Sequence, residues 1–251
     1  MIELLSGERI DEVNDRLKLI QKPEGLTFGT DALLLAGYID TKKCEGLELG
    51  AGSGIISMLL LAREKLTRIK AIEIQEEYAD LISRNAKLNG LSDALTPLCI
   101  DLRNFKDHGN YDTVFTNPPY MKADSGRANG NEKKNIARHE IAGGIADFTK
   151  CAASSLKFGG SFYAVYRPDR LSDLCAAMRE SKLEPKRMTF VFADTESESS
   201  MVLVEARLGG KCGVMLTPPL IVYKDRAHRE YTDDMKYIME HGSFPEKYKR
   251  K

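Results

Sequence analysis

Apolar and polar positions along the chain change period in a regular way. Short apolar runs of strand length alternate with longer stretches in which apolar positions recur every three to four residues, the spacing of one helix face. Glu45–Leu49 reads as a strand that breaks into a glycine turn, with Ile55–Arg63 as the apolar helix behind it. Ile69–Ile74 is the next strand, followed by a helix from Glu76 to Asn89 that Gly90 stops. Leu95–Ile100 and Tyr111–Thr116 are further strands, then a helix covers Ile145–Leu156 and a strand Gly160–Tyr166. Pro168 opens another helix that runs to Ser181, with proline in its first turn.

Ahead of this run, Leu17–Ile20 is strand-like, Pro23–Gly25 turns the chain, and Asp31–Ile39 is helical. After it the alternation stops. Arg187–Ala193 and Ser200–Leu208 are consecutive strands joined by the acidic turn Asp194–Glu198, which predicts an antiparallel pair. Repeated βα units place parallel strands between two helical layers. The expected architecture is an α/β, Rossmann-like, doubly wound and mostly parallel seven-stranded sheet with an antiparallel C-terminal edge hairpin. One domain is expected over residues 1–251, with 217–251 as a tail.

Composition narrows the class. With 251 residues, 42% of them hydrophobic and 29% charged, the chain can bury one substantial α/β core. No apolar run reaches membrane-spanning length, and the acidic start MIELLSGERIDEVNDRL lacks the basic-then-apolar order of a secretory leader, so a cytoplasmic protein is expected. Five scattered cysteines without a C-x-x-C pair predict reduced, buried thiols rather than a disulfide frame or a metal site. Thirty-seven basic residues balance 37 acidic ones, so any attraction to nucleic acid must be local. Met121–His139 is the main basic-leaning stretch, and the end of the chain is a second.

The candidate chemistry begins at Glu48-Leu49-Gly50-Ala51-Gly52-Ser53-Gly54, where a strand enters a helix. Glycines there allow a tight turn and the close approach of a ligand. Glu73 ends the following strand, placed to accept from ribose hydroxyls. The spacing is G-x-G-x-G, not the G-x-G-x-x-G of dinucleotide sites, and a carboxylate at Glu48 would repel a pyrophosphate while suiting a ligand with ammonium and sulfonium charges. The segment resembles the S-adenosylmethionine signature of class I methyltransferases. Asp101, after the third strand of the series, matches the residue that accepts from the cofactor's adenine amino group in that superfamily; capping Leu102–Phe105 is its alternative role.

The fourth strand of the series runs into Asn117-Pro118-Pro119-Tyr120. Two prolines cannot extend a sheet and give a stiff turn at the edge where doubly wound folds bind ligands. Such a turn presents the Asn117 amide oxygen and the Pro118 carbonyl as fixed acceptors beside the flat face of Tyr120. This suits an amino group whose lone pair is delocalised into a ring: two acceptors polarise its N–H bonds while the aromatic ring stacks on the base. The reaction needs no strong base before attack, so His139 is assigned a structural or phosphate-contact role.

Phe28-Gly29-Thr30-Asp31 before the glycine turn, Asn117-Pro118-Pro119-Tyr120 after it, Ile136-Ala137-Arg138-His139-Glu140 and Tyr166-Arg167-Pro168-Asp169-Arg170-Leu171 together resemble the bacterial tRNA (adenine-N6)-methyltransferases that modify the adenosine beside the anticodon of a valine tRNA. The resemblance implies a metal-free S-adenosylmethionine site of Thr30, Asp31, Glu48, Gly50, Ala51, Gly52, Gly54, Glu73, Ile74, Asp101, Leu102 and Asn117. Residues 1–40 would be an extension packed on it. Thr30 and Asp31 would lie near the cofactor's methionine end, with capping of the following helix as the alternative. It also implies a catalytic turn of Asn117, Pro118, Pro119 and Tyr120, and an RNA partner, tRNA first, without an obligate protein partner. Tyr120, Lys122, Lys133, Lys134 and Arg138 would bind substrate. Glutamine-N5 methylation of a protein, adenine-N6 methylation of rRNA or DNA, and a non-catalytic nucleic-acid-binding module remain as alternatives.

Overall fold

The computed structural model describes residues 4–21, 29–41, 43–119 and 143–250. The first element is an antiparallel hairpin of β1 (Arg9–Asn14) and β2 (Leu17–Gln21). α1 (Thr30–Tyr38) leads to β3 (Cys44–Leu49), α2 (Ile55–Ala62), β4 (Leu66–Glu73), α3 (Glu76–Leu88), β5 (Leu95–Cys99) and β6 (Tyr111–Thr116). Then come α4 (Ile145–Ser155), β7 (Leu156–Tyr166), a 3-10 turn at Pro168–Arg170, α5 (Leu171–Glu180), β8 (Leu183–Phe192) and β9 (Ser199–Leu208). Two-residue strands β10 (Met215–Leu216) and β11 (Leu220–Ile221) and helix α6 (Asp233–His241) close the chain.

The main sheet has the order β10-β8-β9-β7-β6-β3-β4-β5, with β11 also on β8. Strands β3 to β7 are mutually parallel, β9 is antiparallel to both β7 and β8, and β10 and β11 run parallel to β8. The seven expected strands are therefore present, with β10 and β11 as short additions. The hairpin lies inside the edge that β10 and β11 cover. Successive residues point to opposite faces. Phe115 and Tyr163 join a core with α1, α2 and α6, whereas Val114 and Phe162 join a second core with Phe148 of α4 and Leu174 of α5. Burial on both faces is what makes such strands continuous apolar runs.

The first hairpin docks on α3 through side-chain amides. Asn85 accepts from Ile20 N at 2.7 Å and donates to Ile20 O; Asn89 accepts from Lys18 N at 2.9 Å and donates to Lys18 O at 2.7 Å. Asn85 also donates to Ser53 O in the glycine turn. Toward the other end of the strand order Arg187, 1% exposed, bonds Glu205 Oε2 at 2.9 Å, Tyr248 O at 2.9 Å and Tyr38 O at 2.8 Å, which fastens the 3-10 turn at Glu246–Tyr248 to β8, β9 and α1.

All five cysteines are free thiols, but only Cys151 is buried; Cys99 and Cys212 are exposed. The expectation of buried thiols fails at Cys99 because it lies in the last strand on its side of the sheet. Among the described residues no helix is long and apolar enough to cross a membrane.

Candidate active site

The parallel strands β3, β4, β6 and β7 all end on one edge of the sheet, and the glycine turn is the first feature there. Gly50, Gly52 and Gly54 have φ of +69°, +55° and +77°, the left-handed region that side chains with a Cβ rarely adopt. A Cβ on Gly54 would also stand 3.1 Å from Ile82. Ala51 N donates to Ile72 O at 2.9 Å, tying the turn to β4.

Two acids organise this turn. Glu73 Oε2 accepts from Gly52 N at 2.9 Å and Oε1 from Gln75 N at 2.9 Å, so the strand-ending acid and the glycine backbone form one unit. Glu48, 1% exposed, accepts from Ser57 N at 3.2 Å and from Ser57 Oγ. Ser57 is the third residue of α2, and the N-cap position is Gly54, which has no side chain to offer. Glu48 thus supplies from the strand the acceptor that a capping side chain normally provides. Burial pushes its carboxyl up to about 8, against the lowering effect of the two Ser57 bonds.

Asp101 takes the capping role recognised as its alternative. It accepts from Arg103 N at 2.8 Å at the start of the 3-10 turn Leu102–Asn104, and the Arg103 guanidinium, bonded to both of its oxygens, holds its carboxyl below the ordinary value. Leu102 is buried under this turn.

The second feature is the turn after β6. Thr116 Oγ1 donates to Leu49 O at 2.7 Å, so the roots of the proline turn and of the glycine turn are fixed to each other. Asn117 Nδ2 donates to Asp31 Oδ2 at 2.6 Å. A carboxylate only accepts, so this bond assigns the amide orientation and turns Oδ1 to the other side of the carboxamide. Thr30 does not cap α1: the N-cap is Gly29, without a side-chain bond. Asp31, in the first turn, instead reaches the turn after β6, 86 residues away. Pro118 is buried and Pro119 half-buried. Tyr120, Lys122, Lys133, Lys134, Arg138 and His139 lie outside the described residues.

Beside this pair opens a cleft of about 930 Å³ between Thr30 and Asp31, the Arg167–Asp169 turn after β7, and Glu198–Met201 at the start of β9. In the sequence Tyr166–Leu171 stands out only as part of a resemblance, and Glu198–Met201 only as a strand start after an acidic turn. For Tyr166–Leu171 the available signal was its position at the carboxyl end of β7, next to the strand that carries the proline turn.

A family model described as the methyltransferase small domain matches residues 24–170, which include both turns. The chain belongs to that family. Curated relatives of this methyltransferase include the tRNA1(Val) (adenine(37)-N6)-methyltransferases of Dyadobacter fermentans, 24% identical over 78% of this chain and 81% of the relative, and of Phocaeicola vulgatus, 28% identical over 71% and 76%. Among solved structures, a predicted O-methyltransferase from Agrobacterium tumefaciens superposes with a TM-score of 0.69 at 21% identity, covering 86% of the methyltransferase and 98% of that chain. M. jannaschii TYW2 in complex with AdoMet gives 0.56 at 14% identity, over 82% and 88%. The expected α/β methyltransferase fold is borne out.

Proposed function

We propose that this methyltransferase places a methyl group on the 6-amino group of an adenosine in tRNA, using S-adenosylmethionine. The observation that carries the reading is the Asn117–Asp31 bond at the end of β6, rooted through Thr116 to the glycine turn. The curated relatives support adenosine next to the anticodon as the target.

The residues present fit the cofactor. Three left-handed glycines leave a backbone without Cβ atoms where a ligand must lie close, and Glu73, bonded to Gly52 N, puts a carboxylate at the same turn to accept from ribose hydroxyls. Glu48, Gly50, Ala51, Gly52, Gly54, Glu73 and Ile74 would hold it, with Asp101 and Leu102 at its adenine end and Thr30 and Asp31 near its methionine end. When bound, it supplies an electrophilic methyl group on sulfur.

The chain's own part is positional. An adenine amino nitrogen is a weak nucleophile because its lone pair is shared with the ring. Asn117 Oδ1 and the Pro118 carbonyl accept its two N–H groups, which favours pyramidal nitrogen. Asp31 keeps the Asn117 amide from rotating away. Holding the amine in line with the methyl group supplies proximity, which accounts for several kcal/mol of a barrier in oriented systems. Tyr120 stacks on the base, and Lys122, Lys133, Lys134 and Arg138 meet phosphate.

Transfer of labelled methyl from S-adenosylmethionine to RNA of cells lacking the protein tests the reading. N6-methyladenosine in the tRNA fraction, lost with Asn117→Ala, is the expected result. Label in protein but not in RNA would overturn it in favour of glutamine methylation.

A further inference from the structure

The active edge of the sheet continues past the cleft. Beyond β6 and β7 come the start of β9, the end of β8 and the end of β11. At about 4.8 Å per strand, the four steps from β6 to β11 span roughly 19 Å. Beyond the end of β11, a loop closes with the bridge between Tyr223 and Tyr231, and Tyr223 N donates to Ala193 O at 2.8 Å.

This loop carries three stacked rings. Tyr223 lies between Tyr231, at a centroid distance of 4.9 Å and 20°, and His228, at 4.5 Å and 14°. The two tyrosines pack against the main core, whereas His228 is the outer end of the stack and its side chain is 45% exposed. His228 adopts φ +53°, a backbone region that non-glycine residues enter at a cost and that clusters at functional sites. Its Nε2 lies 3.1 Å from Oδ2 of Asp194, which is itself 1% exposed. Asp194 also accepts from Glu196 N and Ser197 N, and so shapes the turn leading into the Glu198–Met201 wall of the cleft. The same loop carries exposed Lys224, Arg226 and Arg229, of which Lys224 pairs with Glu230 at 2.7 Å and Arg226 lies 3.7 Å from Glu196.

Closing the loop requires neither a third ring nor a strained residue to carry it: the Tyr223–Tyr231 bridge and the 2.9 Å bond from Lys224 N to Glu230 O already do so. A flat, half-exposed ring at the open end of a stack, in a loop that also carries three basic residues, has the chemistry of a platform for a nucleobase next to a phosphate chain. We propose that the single strand adjoining the target adenosine runs along this edge, across Ser199 and Ser200, and stacks one base on His228. The inference rests on the RNA reading above and adds a second base-binding position to it.

A stem-loop RNA carrying the target adenosine, with 2-aminopurine placed at each loop position in turn, tests the platform. With the wild-type protein, binding quenches the fluorescence at one position outside the target. His228→Ala abolishes that quench and weakens RNA binding about tenfold, the lower part of the range for one aromatic–base stack. His228→Phe keeps a ring but not the Asp194 contact, and restores both. A quench at no position, a quench that survives His228→Ala, or a phenylalanine variant as weak as the alanine one overturns the proposal. Methyl transfer by the wild-type protein to the unlabelled stem-loop is measured in parallel. Its failure sinks the RNA reading, while its success with an unaltered His228→Ala quench sinks only the platform.

Discussion

Asp31→Ala takes away the charged acceptor that holds the Asn117 carboxamide at 2.6 Å. Hydrogen bonds to charged groups contribute about 1.5–3 kcal/mol. Asp31 is half-buried, so water replaces it poorly. If that energy orients Asn117 only as the methyl group is transferred, the single-turnover rate falls by roughly 10- to 150-fold, at about 1.36 kcal/mol per decade. Asp31→Asn keeps an acceptor of the same shape without the charge, and a neutral bond contributes about 1 kcal/mol. Its rate should therefore lie between the alanine variant and the wild type. The assay is single-turnover methyl transfer to tRNA at saturating cofactor, with cofactor affinity measured separately by calorimetry. An alanine variant within threefold of the wild type would falsify the positioning role. A loss confined to cofactor affinity would assign Asp31 to the cofactor alone.

Glu48 gives a pH signature. A carboxyl held up at about 8 is protonated in the folded chain and ionised in the unfolded one between about pH 4.5 and 8, so its contribution to stability falls as pH rises through that interval. Glu48→Gln should flatten the melting temperature of the cofactor-free protein across this range, and parallel curves for the two proteins would contradict the assignment. Among the described residues, Arg187→Ala leaves buried Glu205 with Arg250, 3.3 Å away, as its remaining ion-pair partner. Breaking a buried pair costs about 3–5 kcal/mol, and the lower end, about 3 kcal/mol, corresponds to roughly 6 °C in melting temperature for a chain of this length by calorimetry. A shift under 2 °C would show that the pair is not holding the chain end. Gly54→Ala combines left-handed strain of about 1–2 kcal/mol with a Cβ 3.1 Å from Ile82, and denaturant titration should show at least that loss.

Elements whose stabilising contacts follow their own sequence period were legible, and those completed by distant partners were not. The strands β3, β4, β6 and β7 bury consecutive residues toward their carboxyl ends, so their apolar runs stand out, and three glycines mark a turn built of left-handed backbone. β1 is mostly exposed, with no buried face to leave an alternating pattern. β10 and β11 are two residues each and exist because β8 offers a ladder. β8 starts at Leu183, four residues before its expected start, because the strand tolerates Pro185 beside a register shift. α6 had readable signals, with Thr232 accepting from Met235 N and Gly242 in the left-handed region, but only Met235 and Ile238 are buried on it. In the site, the motifs supplied the glycines, Glu48, Glu73 and Asn117. The Asp31–Asn117 bond joins residues 86 apart and left no local pattern. The motif points Glu48 at the ligand, whereas its bonds to Ser57 at the start of α2 depend on a residue nine positions on.

The paired amides of Asn85 and Asn89 have a consequence for how the protein meets other copies of itself. With β1 on one side, β2 has a second edge where Lys18 and Ile20 would otherwise display unpaired N–H and C=O groups, a template for strand addition between molecules. The helix fills that edge with side-chain carboxamides spaced one turn apart, so the strand is satisfied without a neighbouring strand. Protection of this strand edge against pairing with a second copy thus rests on two asparagines.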